Sequence, residues 1–235
     1  MKTEIERHGK KPEGPTSGAC HRLSGLRFPG SGLCLPALIC GLLVAGCNLP
    51  LPSAQPDLTR FYLLTTTEGP AEAEAAAPLK RWAVGVRTVD VAAYLRSQSL
   101  AVRSHGNEVA FPEFARWGEP IDQGIARVLA GNLQPLPNVA RVATPPFSAD
   151  TTRDFEVAVR VTACEGTADG DVRFAANWRV LAPGGSAAPV AEGSYTATGL
   201  RWDGHDHGQL AARLSEAVAG LSREIAAALP RETAK

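Results

Sequence analysis

The chain lacks the usual equipment for covalent or redox chemistry, and it has no surplus of charge. Its 24 Lys/Arg offset 24 Asp/Glu, so no cationic excess is available to neutralise a phosphate backbone, which argues against nucleic-acid binding. Cysteine is scarce where a folded body would use it. Of five, Cys20, Cys34, Cys40 and Cys47 lie in the first fifth of the 235 residues, and only Cys164 lies in the body. No internal disulfide framework forms without Cys47. Gly-x-Ser-x-Gly, P-loop and paired-cysteine motifs are absent, and from Cys47 onward only His105, His205 and His207 remain as imidazoles. What is present, at 44% hydrophobic and 20% charged, suffices for one sizeable core with appended ends.

Charge is uneven along the chain. Residues 1–46 hold six of the 24 Lys/Arg and three of the 24 Asp/Glu, which leaves a small acidic excess from Cys47 onward. Between Leu33 and Gly46 the run "LCLPALICGLLVAG" has fourteen residues and no charge, after Arg22 and Arg27. A membrane span needs about 20 residues. The length, the basic flank and the small residues at its end instead fit the apolar region of a secretory signal. Pro36 and Gly41 interrupt it and nothing amphipathic follows, which weighs against a buried core helix. Residues 1–46 therefore read as a signal peptide, with an N-terminal stretch longer than usual. After Cys47 the ten residues "NLPLPSAQPD" carry three prolines. They favour an extended chain that reaches at most roughly 35 Å. Residues 47–57 read as a tether, and 58–230 as a single domain.

Within that domain "LTRFYLLTT" (Leu58–Thr66) reads as a first strand and "WAVGVRTVDV" (Trp82–Val91) as a second. The Ala/Glu-rich interval 68–78 reads as a mobile loop. "SLAVRS" and "NEVAF" flank His105-Gly106 as a hairpin. Ile121, Ile125, Val128, Leu129 and Leu133 share one face of a helix over 119–134. Pro120 suits its first turn and Glu119 its positive end. After a short strand near Val139–Ala143, two strict alternations follow. Phe155, Val157, Val159, Val161 and Ala163 form one, and Val172, Phe174, Ala176, Trp178 and Val180 the other. The Asp-Gly in "GTADGD" joins them as an antiparallel pair. Pro189–Arg201 supplies another strand. A last helix over 207–228 starts at Asp206 as N-cap and carries a stripe of Leu210, Leu214, Val218, Leu221, Ile225 and Leu229. The expected fold class is α/β of the α+β type: a mainly antiparallel sheet with two principal helices packed on one face.

The best enzymatic candidate is "WDGHDHG", where Asp203, His205, Asp206 and His207 offer four potential metal ligands within five residues. Such a site would make the protein a metal-dependent hydrolase. The simpler reading is a polar loop capping the last helix. Cys164, late in an alternating strand, reads as a buried small hydrophobe, and His105 as a solvated turn residue. No cofactor is called for, and the chain reads as a non-enzyme.

Two motifs carry a family resemblance. Val44-Ala45-Gly46-Cys47 resembles a bacterial lipobox, a branched aliphatic and two small residues before a cysteine. That resemblance implies acylation of Cys47 and cleavage before it. Asn48 follows, where an Asp would signal inner-membrane retention, so the outer membrane is expected. The segment from Tyr94 to Leu133, "YLRSQSLAVRSHGNEVAFPEFARWGEPIDQGIARVLAGNL", is similar to the paraquat-inducible protein C (PqiC) family, auxiliary lipoproteins of ABC-type and MCE-type transport systems. Tyr94, Trp117, Pro120, Asp122, Asn132 and Leu133 carry it best. The resemblance implies an α/β domain on the periplasmic face of the outer membrane of a Gram-negative cell. Its partners would be a periplasmic MCE-domain protein that forms a lipid tunnel and that protein's inner-membrane partner, and it is compatible with a homo-oligomer. It implies no catalytic residues. Trp117, just before a helix, reads as a core anchor, the alternative being an exposed partner contact. A structural lipoprotein without a transport role is a further reading.

Overall fold

A computed structural model describes residues 56–67, 80–148, 150–184 and 188–231. The expected signal peptide, most of the tether and the 68–78 loop lie outside the described residues. The alternation over Val172–Val180 is obeyed throughout, and the earlier one from Val157 to Val161. Strand β8 (Phe155–Thr167) pairs antiparallel with β9 (Val172–Leu181), and β9 pairs antiparallel with β10 (Ala191–Thr196). In β9 the five apolar residues of the alternation are all buried while Arg173, Asn177 and Arg179 face solvent. One side of the sheet is thereby made a core face and the other a wet face.

On the other flank of β8 the sheet turns parallel. Strand β2 (Trp82–Val86) lies between β8 and β7 (Val139–Ala143), parallel to both, and gives the order β10-β9-β8-β2-β7. Every residue of β2 is buried, as expected of a strand with parallel neighbours on both sides. The sheet is therefore mixed, with its long pairs antiparallel and its parallel pairs short. The stretch read as one strand over 82–91 divides, because β3 (Asp90–Val91) resumes along β8 after a break at Arg87–Val89. A 3-10 turn, Ala93–Arg96, follows. The hairpin of β4 (Val102–Arg103) and β5 (Val109–Ala110) is present, but Gly106 and Asn107 form its turn centre. Glu108 N–H donates to His105 C=O at 2.8 Å, and Gly106 takes the positive φ of 50°.

Helix α1 (Ile121–Leu133) and helix α2 (His207–Ala227) pack on one another and on the core face, α1 over β7 and β2 and α2 over β9 and β8. All five residues of the α1 stripe and all six of the longer C-terminal stripe are buried. Two close approaches fix α2 against the antiparallel strands. Trp178 lies over Gly193, where a Cβ would meet its ring at 2.6 Å, and its indole N–H donates to Glu224 at 2.7 Å. Tyr195 sets its hydroxyl against Gly220, where a Cβ would fall 1.9 Å from the oxygen. Only glycine leaves room at either point. The far end of α2 is held by Trp82, which donates to Pro230 C=O at 2.8 Å, and by Asn138, which donates to Ala226 C=O at 2.6 Å.

The first strand departs most from expectation. Strand β1 is only Arg60–Tyr62 and does not enter the main sheet. It pairs in parallel with β6 (Ala115–Trp117) as a separate two-stranded ribbon. The chain after it, Leu64–Thr67, is pinned across both helices. Arg127 donates to Leu64 C=O at 2.8 Å, Thr65 N–H to Ser215 Oγ at 3.0 Å and Thr67 N–H to Asn132 Oδ1 at 3.2 Å.

Candidate functional site

The motif residues of the sequence are spread along the body. Tyr94, on the 3-10 turn, donates its hydroxyl to Glu165 Oε2 at 2.8 Å. Glu165 is completely buried on β8 and also accepts from Arg103 Nε at 2.7 Å, with Arg173 at 3.8 Å. A carboxylate in that position needs these partners, since an unpaired buried charge is costly. Burial, then the hydrogen bond and charge of Glu165, push the Tyr94 phenol far above its ordinary range. Sequence reading missed Glu165 because its cover comes from Tyr94 and Arg103, distant in the chain, and not from the strand alternation. A register shift between Val161 and Ala163 moves the next residues half a period. Cys164 thus turns inward, where burial pushes its thiol up to about 12, and Glu165 beside it closes the Tyr94–Arg103 network.

Trp117, on β6, is buried in the core cluster, which supports the core reading over an exposed contact. Pro120 is the N-cap residue of α1, one position before the first helical residue, and its carbonyl accepts from Gln123 and Gly124 N–H at 3.0 Å each. Glu119 folds back over Gly124 to pair with Arg127 at 2.5 Å. Asn132 is buried and holds Thr67, and Leu133 is core. Of the six, Asp122 reaches a groove of about 710 Å³ between α1, the 87–89 break and the end of β7, and Pro120 and Asp122 together line a smaller hollow of about 540 Å³ beside Arg96. Another hollow of about 790 Å³ lies on the wet face of the sheet, where Arg87, Arg160 and Arg179 meet Asp90 and Glu192.

The "WDGHDHG" segment is a helix cap. Asp206 accepts the Gly208 N–H at 2.8 Å, and Asp203 accepts the N–H groups of His205 and Asp206 at 2.8 and 2.6 Å. Those backbone bonds hold Asp203 below the usual carboxylate range. Both carboxylates are thus turned to the backbone at the positive end of α2. His205 is exposed. The His207 ring is half-buried between Tyr62 and Trp202, at 6.2 and 5.8 Å between ring centres. Burial lowers its pKa below the ordinary value, against the opposing charges of Asp206 and Asp203. Among the described residues no group of three or more His, Cys, Asp or Glu is arranged to hold a metal ion.

The motif residues thus brace the framework of a helix-covered mixed sheet. The family model for an ABC-type transport auxiliary lipoprotein component matches residues 62–226. The chain belongs to that family. All six motif residues of this PqiC-like auxiliary lipoprotein lie inside the matched range, while Cys47 precedes it and lies outside the described residues. Two solved structures share the fold. An uncharacterized protein is 22% identical with a TM-score of 0.57, over 73% of this chain and 99% of its own. A Xanthomonas campestris protein of the DUF330 family is 19% identical with a TM-score of 0.59, over 72% of this chain and 93% of its own. No curated protein matches. Among the described residues no helix is long and apolar enough to cross a membrane.

Proposed function

We propose that this auxiliary lipoprotein is anchored by acylated Cys47 to the periplasmic face of the outer membrane, and that it serves an MCE/ABC-type intermembrane lipid transport system as a non-enzymatic adaptor. The observation that carries the reading is the family match over 62–226 on a chain whose Val44–Cys47 has the form of a lipobox. Each buried methylene of an acyl chain contributes about 0.8 kcal/mol, so two or three chains on one cysteine give a durable anchor. An adaptor of this kind contributes position and effective concentration, and its tether length decides which partners it can engage. That account needs no catalytic group, and it fits motif residues that brace the fold.

Crosslinking in cells followed by identification of the trapped protein tests the partner: an MCE-domain protein is expected, and recovery of only unrelated envelope proteins sinks the transport role. Cys47→Ala, exported through a cleavable soluble signal, should lose envelope-barrier function while its domain still binds the partner in vitro. His205→Ala combined with His207→Ala should keep function. A folded, anchored double variant that fails would replace the adaptor with the metal-site reading.

A further inference from the structure

Among the described residues, large apolar side chains of the kind the ribbon exposes are otherwise buried or partly buried, Val190 apart. Six large hydrophobic residues are exposed among the described residues, and five of them, Leu58, Phe61, Leu63, Phe111 and Phe114, lie in two short segments. The parallel pairing of β1 and β6 brings those segments together. Arg60 N–H donates to Phe114 C=O at 2.8 Å, and Phe61 stands in register with Arg116. The opposite side of the ribbon holds Tyr62 and Trp117, packed on or within the core. A clustered patch of this kind marks a docking surface rather than scattered exposure.

The patch begins where the tether ends. Asn48–Asp57 are the ten residues between Cys47 and Leu58, and they span at most roughly 35 Å. We infer that the ribbon is a second, non-covalent membrane contact: Leu58, Phe61, Leu63, Phe111 and Phe114 rest on the phospholipid surface to which Cys47 is anchored. The inference builds on the proposed acylation of Cys47. An acyl anchor holds the ribbon within tether reach of the bilayer, which makes a weak apolar contact intramolecular. Side chains of this type settle at the boundary between headgroups and acyl chains. Arg60 and Arg116 on the ribbon are offset by Asp57 and Glu113, so apolar contact and not attraction to anionic lipid carries the docking.

The test uses the full mature chain in vesicles of zwitterionic phospholipid. A polarity-sensitive fluorophore is placed at Phe61→Cys or, as a control, at Val190→Cys, the sixth exposed apolar site. Cys164 is buried and does not compete for label. A label at 61 should shift to the blue and lose most of its emission to nitroxide-bearing lipid, with little change on adding salt, and a label at 190 should do neither. If the acylated protein sediments with vesicles and position 61 is as wet as 190, the membrane contact is wrong and the anchor stands. A label at 61 that is shielded yet unquenched by lipid nitroxide also overturns it, in favour of a protein cover such as a second copy. If mass analysis finds no acyl group on Cys47, the label is read in a Cys47→Ala chain, and quenching at position 61 there keeps the contact and drops the anchor. Loss of both acylation and sedimentation removes both.

Discussion

In β9, Val172, Phe174, Ala176, Trp178 and Val180 are buried under α2, whereas Leu58, Phe61 and Leu63 in and around β1 stand 62%, 66% and 52% exposed. Both segments are rich in the residues that favour strands. They differ in their neighbours. The main sheet offers β9 a hydrogen-bonded strand on each side and a helix across one face. The ribbon gives β1 one partner and one packed face. An apolar side chain is stabilised by the surface that covers it and not by the strand that carries it. Body and ribbon should therefore answer very differently to substitution.

The largest effect is expected in the body. Leu129 is fully buried on α1, and Leu129→Asp places an unpaired carboxylate there at a cost of several kcal/mol against a total stability of about 5–15. Loss of the cooperative thermal transition in circular dichroism is expected, and an unchanged melting temperature would put this helix face in solvent. Next comes Tyr94→Phe, which removes one donor from the buried Glu165 carboxylate and should cost about 1.5–3 kcal/mol in urea denaturation. A negligible change would mean that Arg103 alone satisfies Glu165.

A smaller effect depends on pH. Burial depresses the folded-state pKa of His207 below its ordinary 6.5, so the unfolded chain binds the proton more readily. Its contribution is complete above the unfolded value and is lost as pH falls below it through the depressed folded value. His207→Gln should flatten the decline in stability that begins below about pH 6.5, and an identical pH profile would assign that decline to other groups. Smallest of all is Phe61→Ser on the ribbon, which should stay within about 0.5 kcal/mol of the parent. A loss comparable to that of a core residue would show that the ribbon is covered, and the contrast with β9 would fail.

Much of this fold is readable along the chain. The buried stripes of α1 and α2 and the alternation of β9 follow from spacings of 3.6 and 2 that repeat several times. Asp206 as N-cap is equally local, since its carboxylate reaches only two residues on. Of the six motif residues, Trp117, Pro120 and Leu133 have places legible in the sequence, and Tyr94, Asp122 and Asn132 do not. Asn132 is seen as a clamp only when Thr67 is beside it. Tyr94 makes sense only with Glu165, 71 residues away, and Glu165, opposite Arg173 on the side of β8 away from the buried Cys164, is buried only because Tyr94 and Arg103 close over it. The first strand leaves the main sheet for a related reason: "LTRFYLLTT" has the composition of a strand, and composition does not say which sheet a strand joins.

The helices, the long antiparallel pair and the helix cap are legible along the chain, because each is decided by residues within a few positions of one another. The reading of Cys47 also rests on sequence alone, as a motif of four consecutive residues. Contacts between distant segments set the rest: β2 runs parallel between β7 and β8, a buried carboxylate ties the 3-10 turn to β8, and the first strand leaves the sheet with its apolar side chains facing outward. Those outcomes depend on which distant surfaces meet. Burial is a property of the pair of surfaces in contact, and a single stretch of sequence carries only one of them.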